Sequence, residues 1–326
     1  MKRLISEMPG SGLAVLIAVL GGPDCFAAGP GVMMPQITGQ WWTIADDPDL
    51  GTYTSRDQEP VDFAVWRAGD GTWQLWSCIR GTKCGGNTRL FHRWETERLE
   101  EVHWTARGIA MEAVPALGET NGGLQAPFVT RKENEFLMFY GDWEHICMAT
   151  SRDGKNFIRQ MDSAGRTGLF GEGAGKNTRD PMVLFTRGRW HCYYTAHPQQ
   201  QGAVYCRRSS DTRTWGAAKV VARGGAAGND ASSAECPFVV ELKDGDYYLF
   251  RTQRYGAEAR TRIYHSLDPM NFGLDSDAGH LVGSLPVAAP ELFQHEGQWY
   301  MASLLPTLKG IRLAKMEWVP VAESAK

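Results

Sequence analysis

Two aspartates and a glutamate open apolar runs in which a charge is out of place. Asp180 lies between Arg179 and Pro181 at the head of "RDPMVLFTRGRWHCYYTA". Glu235 opens "ECPFVVELKDGDYYLFRTQ", and Asp62 is second in "VDFAVWRAGDGTWQLWSCIR". A turn accounts for any one of them, since Asp before Pro is a common turn opening. Three carboxylates brought to one place would do more. Gathering like charges away from water raises at least one pKa. One acid then stays protonated beside an ionised partner, which is what cleavage of an acetal requires. The acid protonates the leaving oxygen, while a carboxylate attacks the carbon or activates water.

The elements that must position these acids are visible as repeats. "QAPFVTRKENEFLMFYGD" from Gln125 and "AAPELFQHEGQWYMASL" from Ala288 are further copies of the same phrase, making five. Each opens with a short apolar strand, turns through polar residues, and returns as an aromatic-rich strand, the pattern of a β-hairpin. A second phrase, S-x-D-x-x-x-aromatic, recurs as "SRDGKNF", "SSDTRTW" and "SLDPMNF", its aspartates 58 and 57 residues apart. The unit is therefore about four strands long, and such units repeated radially make a β-propeller. Five copies predict an all-β fold of five four-stranded blades around a central channel. "GQWWTIA", near residue 40, adds an edge strand or closes the ring. Aligned on the opening strand, Asp62, Ala126, Asp180, Cys236 and Ala289 share one position, and Val61, Gln125, Arg179, Glu235 and Ala288 precede it. Asp62, Asp180 and Glu235 thus meet at one mouth of the channel.

Composition agrees with this reading. The 12 Trp and 37 Gly suit a turn-rich β fold that stacks sugar rings on indoles. A net charge of -3 without a basic cluster excludes a nucleic-acid partner. Lys2 and Arg3 precede "GLAVLIAVLGG" and "CFAAG", the pattern of a secretory signal cut near Ala27 or Ala28. Residues 1–28 are read as that signal and 29–326 as a single propeller domain. The protein is expected to be secreted or periplasmic, with no membrane contact after cleavage. Of seven cysteines, Cys25 would leave with the signal. Cys78 with Cys84, or Cys192 with Cys206, are near enough in sequence to pair, and buried free thiols are the equal alternative.

"RDP" followed by "ECP" resembles the second and third motifs of glycoside hydrolase family 32, the invertase-like enzymes. The three-acid arrangement is also similar to family 43, the arabinanase and xylosidase-like enzymes, on the same five-bladed propeller. The resemblance spans about Trp41 to Trp318. It implies Asp62 as nucleophile or base, Asp180 as transition-state stabiliser and Glu235 as general acid, acting on an oligo- or polysaccharide. Two departures stand against simple invertase identity. The first motif reads "VDFAVW" where family 32 has Asn-Asp-Pro-Asn-Gly, and the β-sandwich usual in family 32 is missing.

The implied activity is hydrolysis of a furanoside or related terminal sugar. A non-catalytic sugar-binding propeller and a transglycosidase are the alternatives. Arg179, Gln125, Trp42, Trp143, His197 and Arg251 are the candidate substrate contacts. Asp46 and Asp47 in "ADDPD" are rivals to Asp62, which is preferred because it heads a matching hairpin. No oxygen-rich loop specifies a metal and no cofactor is required. A calcium ion occurs in the channel of relatives of this kind, and the sequence leaves it open. Phe63 and Ala64 give Asp62 no polar support, so Asp62 is expected to act as a base through water, with inversion.

Overall fold

The computed structural model describes residues 31–243 and 245–321. The expected signal segment, with Cys25, lies outside them. The described residues form five antiparallel sheets with only one-turn 3-10 helices between them. Each sheet is a blade, and the expected five-bladed propeller is the observed fold.

Blade I comprises Glu59–Arg67, Trp73–Arg80, Leu90–Thr96 and Thr105–Met111. Blade II comprises Gln125–Lys132, Glu135–Gly141 and Ile146–Ser151, with Ile158–Arg159 and Gly168–Phe170 sharing its outer edge. Blade III comprises Arg179–Thr186, Arg189–Ala196, Ala203–Ser209 and Lys219–Gly224, and blade IV comprises Glu235–Lys243, Asp246–Arg254, Arg260–Ser266 and Leu281–Leu285. In each, the first strand is innermost and starts at the mouth that the acids share. The turns between second and third strands, 81–89, 142–145, 197–202, 255–259 and 305–309, return to that same mouth.

Blade V is built from both ends of the described chain. Glu291–His295 and Gln298–Leu304 lie inside Gly310–Pro320. Trp42–Asp46 pairs with the first part of that long strand and Met33–Ile37 with the last part. The N-terminal segment therefore does both things left open by "GQWWTIA": it is an edge strand, and it closes the ring.

The second repeated phrase joins neighbouring blades. Asp153 Oδ1 accepts from the backbone N–H groups of Lys155 and Asn156, and Asp211 Oδ1 from those of Arg213 and Thr214. Each turn fixed this way drives its aromatic residue into the preceding blade. Phe157 packs edge-on to Trp66 and Trp76, Trp215 to Phe139 and Phe170, and Phe272 to Tyr193. Edge-to-face pairs of this kind add about 0.5–1.5 kcal/mol beyond the area they bury. The repeat is thus a blade-to-blade fastener as well as a turn.

All six described cysteines are free thiols, so neither expected disulfide forms. Cys192 faces Arg207 and Cys206 faces Tyr193 across adjacent strands, a register one residue out of step. Side chains alternate along a strand, so the two sulfurs point to opposite faces. Cys78 is buried and donates to the Leu124 carbonyl at 3.3 Å, while Cys84 lies in the 81–89 turn.

Ring closure can be tested at Gly310, whose φ is +153° and whose added β-carbon would stand 2.3 Å from the Ala45 carbonyl oxygen. Gly310→Ala should lower the unfolding free energy by about 2 kcal/mol or more. Gly297→Ala, also at positive φ but with open space around it, should lose only the backbone strain of about 1–2 kcal/mol. Equal urea midpoints for the two variants would show that the closing pair tolerates displacement.

Candidate active site

The aligned position of the five openings has a common backbone. Asp62, Ala126, Asp180, Cys236 and Ala289 all have positive φ, at 40°, 42°, 55°, 44° and 48°. Pairing is interrupted at this point in blades I to IV, where the inner strand bulges. A bulge turns a side chain that would otherwise follow the pleat and re-aims it. In four blades a proline follows, which lacks an N–H and so loses nothing where the ladder is broken. Five residues with β-carbons hold a conformation that favours glycine, and each costs of order 1 kcal/mol.

The bulges bring two acids and a thiol together. One ligand-capable atom of each of Asp62, Asp180 and Cys236 lies within 4.8 Å of the other two. The Cys236 thiol donates to Asp62 Oδ1 at 3.1 Å and lies 3.2 Å from the Tyr255 hydroxyl. The Cys236 backbone N–H donates to Asp180 Oδ2 at 3.0 Å. Asp180 Oδ1 is buried without a hydrogen-bond partner among the described residues. Glu235, one residue before the bulge of blade IV, is held by both arms of the Arg179 guanidinium, Nη2 on Oε1 and Nε on Oε2. Nε of Arg179 also stands 3.7 Å from Asp180 Oδ2. One arginine therefore ties the acids of blades III and IV together.

Electrostatics follow from this crowding. Burial, then the charge of Asp62, pushes the Asp180 carboxyl up to about 7. Burial raises Asp62 as well, opposed by the Cys236 thiol and by Arg89. Burial and the surrounding carboxylates push the Cys236 thiol well above its usual range, so it stays a hydrogen donor. Burial works against the charge on Arg179, but Glu235 and Asp180 outweigh it and keep the guanidinium protonated. Beneath the acids the channel narrows to a cavity of about 30 Å³ lined by the bulge residues, the residues that follow them and Glu291. Burial also holds Glu291 far above the usual carboxylate range while its Oε2 accepts from the Val65 N–H at 3.0 Å.

Several expected substrate contacts are at this mouth. His197, in the 197–202 turn, accepts from Arg179 Nη1 at 3.1 Å and is held neutral by burial and by that cation. Trp143, in the 142–145 turn, is partly buried with the Arg89 guanidinium carbon 5.0 Å from its ring centre. Gln125 holds the ring position of Arg179 and Glu235 in blade II, fully buried with Oε1 unpartnered. Two others are not brought here. Trp42 sits on the outer strand of blade V opposite Leu313, packed on the apolar core. Arg251 is buried and donates to the carbonyls of Ser233, Gly224 and Gly228, fastening the segment that leads into Glu235. Its donors are spent on those carbonyls and none reaches the three acids. Asp46 bonds His103 and Asp47 pairs with Lys309, both at the ring seam.

Cys236, Tyr255 and Arg89 are the mouth residues that the sequence pattern did not single out. Cys236 shares the aligned position of Asp62 and Asp180, so its place was readable. Tyr255 and Arg89 lie in turns of unequal length and carry no periodic signal. As a metal site, the Asp62, Asp180 and Cys236 group does not fit calcium, which takes about six to eight oxygen ligands. It offers two carboxylates and a thiol whose hydrogen is already given to Asp62.

The sequence pattern described as "Glycosyl hydrolases family 32 N-terminal domain" matches residues 93–302. The chain belongs to the family 32 N-terminal-domain family. The match includes Asp180 and Glu235 and begins beyond Asp62, where the first motif departs from the family. A probable sucrose-6-phosphate hydrolase of Vibrio cholerae is 23% identical over 207 residues, 57% of this chain and 37% of that protein. The family 32 chain thus spans little more than a third of that relative's length. Among solved structures, an exo-1,5-alpha-L-arabinanase from a bovine ruminal metagenomic library matches with TM-score 0.58 at 18% identity, covering 82% of this chain and 97% of that one. A GH32 beta-fructofuranosidase of Bombyx mori matches with TM-score 0.54 at 16% identity, covering 84% and 61%. These likenesses establish the shared propeller.

The raised Asp180 carboxyl ties the site to stability. Its folded value near 7 exceeds the unfolded value near 4, so the native state holds the proton more tightly between them. The contribution of Asp180 to stability is fullest below about pH 4 and is lost as pH rises through 7. Asp180→Asn should therefore be more stable than the parent at pH 8, by about 1 kcal/mol or more, with the gap closing toward pH 4. Denaturant titrations at both ends of this range check it. A gap that is absent at pH 8 would show that the carboxylate is accommodated without cost.

Proposed function

We propose that the protein is an exported glycoside hydrolase that cleaves a terminal furanoside through Asp62, Asp180 and Glu235. The observation that carries this reading is the grouping of Asp62 and Asp180 at one mouth with an Arg179-clamped Glu235 beside them. Family 32 membership supports the acetal chemistry. The Vibrio relative is named for sucrose 6-phosphate, a fructofuranoside, which favours a furanoside here. The export part rests on the basic and apolar pattern of residues 1–28.

Asp62 is the attacking group in this reading. Family 32 is the retaining family of the two resembled, which favours direct attack by Asp62 over the expected inversion through water. In the first step a carboxylate oxygen of Asp62 bonds the anomeric carbon as the bond to the leaving oxygen breaks and Glu235 gives that oxygen its proton. Arg179 stabilises the carboxylate that Glu235 becomes. In the second step Glu235 takes a proton from water, whose oxygen displaces Asp62. The free oxygen of Asp180 holds sugar hydroxyls, and the Cys236 thiol orients Asp62 without competing for its charge.

Glu235→Gln removes the proton donor. Turnover of substrates with poor leaving groups should fall by about 10²–10⁴, and activated aryl glycosides should lose less. Equal losses on both would give Glu235 a binding or structural role instead. NMR of the first-formed anomer should show retained configuration; an inverted product would return Asp62 to the role of base. Saturable sugar binding without turnover of any furanoside, pyranoside or polysaccharide would make the protein a lectin-like propeller.

A further inference from the structure

Arg89 is the cation at the mouth that the hydrolytic reading leaves without a task. It ends the 81–89 turn of blade I, where its N–H donates to the Gly122 carbonyl and fixes the backbone. Its guanidinium lies 5.0 Å from the Trp143 ring centre, on a partly buried side chain. Among the described residues it has no ion pair and no side-chain hydrogen bond, and its recorded partners are the Trp143 ring and the field of nearby acids. The other arginines of this region are committed. Arg80 bonds Glu59, Arg179 bonds Glu235, and Arg251 bonds three carbonyls.

We propose that Arg89, lying over the Trp143 ring, is a specificity residue that binds an oxyanion carried by the glycoside. The proposal rests on the hydrolytic reading above and names its substrate class. A guanidinium offers two parallel N–H groups that match the paired oxygens of a carboxylate or of a phosphate ester. A cation over an indole is attracted to the ring face without using any of its hydrogens. A sugar hydroxyl needs one donor and no charge, and would leave most of this fork unused. Asp62 does not fill it either, since no atom of that carboxylate comes within ion-pair distance. The anion would sit on the blade I and II side of the mouth, across from Glu235.

The source of the oxyanion is either a sugar phosphate or a uronic acid, and matched pairs separate the two. Binding is measured by calorimetry on Glu235→Gln, which should hold its ligands without turning them over, with and without Arg89→Gln. The ligands are sucrose against sucrose 6-phosphate, and methyl glucoside against methyl glucuronide. Hydrolysis of the sucrose pair by the parent enzyme and by Arg89→Gln runs alongside. The expected result is that one anionic member binds about 10–100-fold tighter than its neutral partner. Arg89→Gln should shrink that preference to a few-fold, while Arg89→Lys keeps an intermediate preference. The pair that shows the effect identifies the source. Equal losses for neutral and anionic members would mean that Arg89 serves Asp62 alone, and would overturn the proposal. So would a parent enzyme that turns over neutral glycosides and shows no anion preference, which leaves the hydrolytic reading standing. Absence of both turnover and sugar binding would overturn the hydrolytic reading, and this one with it.

Discussion

Near the start of each inner strand of the ring stands a residue whose backbone is left-handed although it carries a β-carbon. That kink sets where the first side chains of every blade point, and it recurs whether the residue is Asp, Ala or Cys. The chemistry is laid over a geometric frame that exists without it. Ala126 and Ala289 bear the strain with nothing to show for it at the mouth. Asp62 and Asp180 use the same kink to aim carboxylates at each other, and Cys236 uses it to place a thiol and an N–H between them. The recurring kink explains why acids from blades I and III act as neighbours although a blade lies between them.

Bringing those acids together has a cost that the surroundings meet only in part. Arg179 is shared between Glu235 and Asp180, and its remaining hydrogens go to His197 and to backbone carbonyls. Asp62 has a neutral thiol and a cation farther off. Asp180 keeps one buried oxygen with no partner among the described residues. An unsatisfied buried acceptor is expensive, and such groups concentrate where a ligand completes them.

The ring and the acids were legible in the sequence for one reason: both depend on repetition. Five similar openings let Asp62, Asp180 and Cys236 be superposed from residue order alone, because the same opening phrase recurs in all five blades, with a proline behind the aligned position in four. Features outside the repeat were misread or missed. Trp42 and Arg251 stand near telling positions in the chain, but Trp42 is paired on the outer strand of blade V and Arg251 is spent on backbone carbonyls. The Cys192 and Cys206 separation suits a disulfide, and a one-residue register offset forbids it. Arg89 and Tyr255 reach the site from turns whose lengths differ from blade to blade, so no alignment of blades could place them.

The seam in blade V bears on how the molecule is made. Trp42–Asp46 and Met33–Ile37 have their partners in Gly310–Pro320, at the far end of the described chain. Contacts of such long sequence separation form late, because loop closure must precede them. During synthesis the segment 31–46 waits with its backbone groups unpaired until nearly the whole chain is available, and the ring stays open until then. Blades I to IV pair strands that are neighbours in sequence and need no such wait, so the seam is the contact that turns four finished blades into a closed ring.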